Sequence, residues 1–147
     1  MNVGSGLRIA LSCILFLIVI VGTPTVLLAQ ELQLFGGLQQ DTYLGCLTCS
    51  RFSTRSIWNR YGQYGSRYSY RSIWNRYSQY GSPYSSMSPW NTFASNAPII
   101  VDDDGAYYGV FTVRRTDPER TRVGFLVWLL DNWEWVVENV DQLRDEF

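Results

Sequence analysis

A 16-residue repeat constrains this chain more than any other feature it carries. Ser56-Ile-Trp-Asn-Arg-Tyr-Gly-Gln-Tyr-Gly-Ser-Arg-Tyr-Ser-Tyr-Arg71 is followed by Ser72-Ile-Trp-Asn-Arg-Tyr-Ser-Gln-Tyr-Gly-Ser-Pro-Tyr-Ser-Ser-Met87, and 12 of the 16 positions are identical. A third copy opens with Ser88-Pro-Trp-Asn-Thr-Phe93 and stops after about one turn, while Ser50-Arg-Phe-Ser-Thr-Arg55 matches the tail of an earlier, degenerate copy. The array therefore runs over roughly residues 43–97, and Cys49 falls where Gly65 and Gly81 sit.

The spacing within a copy predicts a short helix. Ser56 or Ser72 fits an N-cap, and Ile73, Trp74, Tyr77 and Tyr80 fall at i, i+1, i+4 and i+7, one helical face. Gly65 and Gly81 stand where a left-handed residue ends a helix. A two-turn helix is not stable alone in water. Successive copies are expected to stack through their Trp and Tyr rings, each burying roughly 150–250 Å². A disordered Tyr/Ser/Gly/Arg tract is the competing reading, and the strict period argues against it.

After the array, two β-branched and aromatic runs flank Asp104-Gly105, which predicts a β-hairpin over residues 98–113. Gly109 inside the second run marks a bulge or a close approach. Asp117-Pro-Glu119 reads as a helix start, and an apolar stripe from Leu126 to Phe147 predicts an acidic amphipathic helix over 117–147. Asp131-Asn132 is where it would split. The expected fold class is α+β: short stacked helical repeats, a β-hairpin and an amphipathic C-terminal helix in a single small domain, residues 30–147.

Residues 1–29 read as a signal peptide. Arg8 precedes the apolar run Ile9 to Ala29, Pro24 loosens its end, and Ala29 supplies the small residue before a cut. The expected destination is the periplasm, the cell surface or the medium. If the segment is not cut, residues 9–29 are long enough to anchor the protein in a membrane.

Charge is segregated behind a net value of −1. Ser50 to Val101 holds six Arg and no acid, whereas Asp102 to Phe147 holds 11 acids and five Arg. Halves of opposite sign attract each other or face different partners. Docking on each other is the plainer expectation. The chain contains no Lys and no His, so Ser-His-Asp and Cys-His sets, Schiff-base lysines and His-ligated zinc are excluded.

Three groups of residues carry candidate chemistry. Cys46-Leu-Thr-Cys49 is most simply a structural disulfide in an exported chain, with a redox couple or a metal site as alternatives. Asp102-Asp-Asp-Gly105 lacks the alternating ligands of a calcium loop and reads as a turn. The aromatic and Arg-rich copies offer a binding surface, with Trp58, Arg60, Tyr61, Trp74, Arg76, Tyr77 and Trp90 as candidate contacts. Tyr and Arg also stack on single-stranded nucleic acid, but export argues against that partner. No catalytic residue, cofactor or resident metal is expected.

Tyr43-Leu-Gly-Cys-Leu-Thr-Cys49, the SIWNRYxQYGSxYS copies, Ser88-Pro-Trp-Asn91 and Pro98-Ile-Ile-Val-Asp102 together resemble a group of uncharacterised bacterial exported or envelope proteins. The resemblance spans about Leu34 to Thr112 and implies export without implying an activity. The expected function is a non-catalytic envelope or secreted interaction module that binds an envelope polymer or a protein partner. A thiol redox or hydrolytic accessory enzyme using Cys46 and Cys49 or the Asp cluster is the alternative.

Overall fold

In the computed structural model, which describes residues 30–147, the chain first forms a hairpin of β1 (Leu32–Gly36) and β2 (Thr42–Cys46). The expected signal peptide, residues 1–29, lies outside the described residues. Two short apolar runs around Gly36-Gly37 make this hairpin, and Gly37, at φ 89°, takes a conformation that favours glycine. A bulge between Leu34 and Phe35 adjusts the register, opposite Gly45 at φ 116°.

The hairpin expected over 98–113 forms as β3 (Ile99–Asp102) and β4 (Tyr107–Val110). Asp102 accepts the amides of Asp104 and Ala106, both at 2.9 Å, and so closes the turn. Gly109, at φ 99°, lies against the Glu119 carbonyl and the Thr121 backbone, where a side chain would collide. β1 pairs with β3 across more than half of the described chain, and the antiparallel sheet runs β2-β1-β3-β4. Together with the C-terminal helices this makes a mixed α+β architecture.

The repeat does not form helices. From Ser50 to Ala94 the backbone makes one i→i+3 turn after another, with amides bonding back along Ser50, Ser53, Ser56, Asn59 and Gly62, then Ser66, Ser69, Ser72, Asn75 and Ser78, then Ser82, Ser85, Ser88 and Asn91. The period is three residues. One extra step per copy, bridged from Ser66 to Gly62 and from Ser82 to Ser78, completes the 16. Ser and Asn explain the choice: their side chains accept the amide two residues on, as at Trp74 to Ser72 Oγ (3.1 Å) and Tyr77 to Asn75 Oδ1 (3.1 Å). That local bond competes with the helical one, and a Ser, Asn or Gly every third residue repeats the competition at each step. Gly65 and Gly81 are not helix caps either; a Cβ there would collide with the carbonyls of Asn59 and Asn75.

Copies stack on one another through their indoles. Trp58 and Trp74 have ring centroids 5.4 Å apart, and Trp74 and Trp90 5.6 Å. The indole N–H of Trp74 donates to the Ile57 carbonyl and that of Trp90 to the Ile73 carbonyl, both at 2.6 Å. Trp58, lacking a full copy upstream, donates to Leu47 at 2.8 Å. Phe147 closes one end of this column, stacked on Trp58 at 4.1 Å, and Phe111 and Trp133 close the other.

The C-terminal segment departs from one helix over 117–147. Asp117-Pro-Glu119 makes a turn, with Arg120 N–H donating to the Asp117 carbonyl. The helix then starts at Gly124 and runs as α1 (Gly124–Asp131), α2 (Trp133–Glu138) and α3 (Val140–Leu143), followed by a 3-10 turn, Arg144–Glu146. The breaks fall at Asn132 and Asn139, whose side-chain amides donate to Trp128 and Trp135 carbonyls at 2.8 Å. Leu126, Leu129, Leu130, Val136, Val137 and Val140 are buried in the same core as the indole column. Among the described residues no helix is long and apolar enough to cross a membrane.

Candidate functional site

The turns that bury the indoles also fix what faces outward. In each copy the residue two places after Asn is held by the Asn side chain, and it is aromatic: Tyr61, Tyr77 and Phe93. The residue two places after the first Ser of a turn run is aromatic as well: Phe52, Tyr68 and Tyr84. All six rings are at least 80% exposed. Two rows thus run along the stack, three rings each, one ring per copy. Single exposed rings are ordinary, but six in register form a surface pattern.

The candidate contacts divide accordingly. Trp58, Trp74 and Trp90 are buried and hydrogen-bonded, so they build the column rather than the exposed binding face expected of them. A ring with this large an apolar area is stabilised most by burial, and its single N–H finds a carbonyl there. Tyr61 and Tyr77 stand outside, with Arg60 and Arg76 beside them. Phe52, Tyr68, Tyr84 and Phe93 belong to the same rows; their 16-residue spacing was visible, but the helical reading gave no reason to place them outward.

Arg residues of the array meet the acidic C-terminal segment. Asp141 is the hub: Arg144 lies 2.5 Å from it, Arg67 3.3 Å and Arg60 3.4 Å. Arg51 pairs with Asp145 at 2.5 Å, and Arg67 also donates to the Glu138 carbonyl at 3.1 Å. The opposite halves do dock on each other here. Arg144 is buried and also bonds the Gly65 carbonyl, tying the helix end to the repeat. Burial holds its guanidinium below the usual arginine range, with Asp141 acting against that shift.

Cys46 and Cys49 lie with their sulfurs 2.02 Å apart, at disulfide distance, and both are buried. Glu31 lies close to both sulfurs and pairs with Arg55 at 2.5 Å. The trio could hold a soft metal only with both sulfurs as free thiolates. Asp102 is spent on the hairpin turn and on Tyr108, whose hydroxyl donates to it at 3.0 Å. Desolvation raises its carboxyl, but the Ala106 amide, the Tyr108 hydroxyl and the Asp104 amide outweigh that and hold it below the usual range. Asp103 accepts from Gln33 at 3.0 Å. The acidic cluster is thus a hydrogen-bonded turn. Comparison with family models, with curated proteins and with solved structures finds no match to the chain.

Proposed function

We propose that this protein is an exported, non-catalytic interaction module of the cell envelope, and that it binds an envelope polymer along the two rows of exposed rings. The observation that carries this reading is the register of Phe52, Tyr68 and Tyr84 and of Tyr61, Tyr77 and Phe93. The fold does not need these rings, since they pack on almost nothing. Yet aromatic character persists in both rows where neighbours change, from Arg60 and Arg76 to Thr92 and from Arg51 and Arg67 to Pro83. A surface that repeats once per copy suits a ligand that repeats as well, and ring faces stack on sugars with little conformational cost.

Export rests on residues 1–29, and the buried Cys46–Cys49 pair is consistent with an oxidising compartment. Retention of the protein on purified cell-wall polysaccharide at low salt is the test. Retention that falls when Tyr77 and Phe93 are both changed to Ser supports the reading, and no retention at low salt overturns it.

A further inference from the structure

The first copy differs from the second in one respect that the sequence hides. A pocket of about 390 Å³ opens beside it, lined by Arg51, Phe52, Trp58, Asn59, Arg60, Tyr61, Arg144 and Asp145. That volume lies within the range of small-ligand sites. Its walls are two exposed rings. Phe52 is held by the Arg51 guanidinium 5.1 Å from its centroid, and Tyr61 by the Asn59 side chain, which accepts its amide at 3.0 Å.

Positive charge is in excess around this pocket. Four guanidinium groups, Arg51, Arg60, Arg67 and Arg144, share the carboxylates of Asp141 and Asp145. Asp141 is committed to Arg144 at 2.5 Å, and Arg51 to Asp145 at 2.5 Å and the Arg144 carbonyl at 3.3 Å. Arg60 is the least engaged: its Nε is 3.4 Å from Asp141, beyond a good hydrogen bond, and its side chain is half exposed. Beneath it, the buried Arg144 pairs with Asp141 and bonds the Gly65 carbonyl, and its Nε has no hydrogen-bond partner among the described residues. Arg76, at the equivalent place in the second copy, is exposed and makes no ion pair among the described residues.

We infer that this pocket binds an oxyanion carried on a sugar ring, the ring lying between Phe52 and Tyr61 and the anion on Arg60. A guanidinium fork matches a carboxylate or a phosphate with two parallel bonds. Aromatic walls select an anion attached to a planar or ring-shaped body over a small inorganic ion. The inference rests on the envelope-polymer reading for its biological sense, because it makes the polymer an acidic one. The pocket itself is measurable without the polymer.

Titration of the protein purified from the envelope of an expressing bacterium, with galacturonate trimer, glucose 6-phosphate and neutral glucose trimer as probes, tests it. The acidic probes should bind at least about tenfold more tightly than the neutral one, and salt should weaken them. Arg60→Gln should lower that affinity about tenfold, while Arg76→Gln should leave it unchanged. Preference between uronate and phosphate sugars tells which source supplies the anion. Equal binding of acidic and neutral probes, no binding of either acidic probe, or equal effects of the two Arg variants would overturn the inference. Tyr61→Ala, which leaves every ion pair in place, should weaken the trimer and not change far-ultraviolet dichroism. If the polymer is not retained while the acidic trimer binds, the ring rows fail and the pocket stands.

Discussion

Trp74 and Tyr77 are three residues apart in the same copy, yet one is 1% exposed and the other 99%. Both recur every 16 residues, both are large aromatics, and both follow a Ser or Asn whose side chain accepts their amide. The inner residue donates its N–H to the preceding copy and stacks on two indoles; the outer one touches almost nothing. The difference teaches that the repeat has two jobs. One column holds copies together, and the rows around it are free to be a surface.

Breaking the inner column should have the largest effect. Trp74→Ala removes a ring packed on both sides and leaves the Ile57 carbonyl without its donor, so a loss of about 3–5 kcal/mol is expected in denaturant unfolding. A loss below 1 kcal/mol would mean that the indole stack does not hold the copies together. Separating the charged seam from the column comes next. Asp141→Asn leaves Arg144 buried without its closest carboxylate; because Asp141 is itself about half exposed, about 1–2 kcal/mol is expected, and it should shrink in high salt.

The hairpin gives a smaller, pH-dependent contrast. Asp102 is held below the ordinary carboxylate value of 3.8 in the folded state. Its contribution is therefore fully present above that value and lost as pH falls through the lowered one. Thermal melts should show stability falling below about pH 4, and Asp102→Asn should flatten that part of the profile. A profile unchanged by Asp102→Asn would remove Asp102 as the cause. The smallest effect on stability belongs to the outer row: Tyr77→Ser should change unfolding free energy by no more than about 0.5 kcal/mol. The same substitution should still reduce retention on the polymer, and this pairing of neutral stability with lost binding distinguishes a surface ring from a structural one.

Much of the local structure was legible. The hairpin over 98–113 followed from the Asp-Gly turn between β-formers, and Asp102 supplies the side-chain bonds that such turns use. The repeat boundaries were read from identity alone. The helical reading of each copy failed on Tyr77 and Tyr80: both were assigned to one face with Trp74, but Tyr80 is buried and Tyr77 is not. A three-residue recurrence of Ser72, Asn75 and Ser78 lay in the same stretch. It carried the turn signal, because each of these starts a turn to which the amide three residues on bonds back. The candidate site was legible as residue types and not as places. Trp58, Trp74 and Trp90 stood among the candidate contacts, and the apolar area that suits a ring to a ligand face is also what buries it.

The chain's order of residues by itself determined the 16-residue period, the segregation of Arg from acid, the β3–β4 turn and the exclusion of histidine- and lysine-dependent chemistry. These are local or compositional properties, fixed before any folding. Tertiary structure alone decided that β1 pairs with β3, that Arg144 reaches the Gly65 carbonyl and that Arg60 differs from Arg76. Each depends on contacts between segments far apart in sequence. Copies that share 12 of 16 residues share most local preferences, and a distant neighbour, the Asp141 carboxylate that pairs with Arg60, sets the first copy apart.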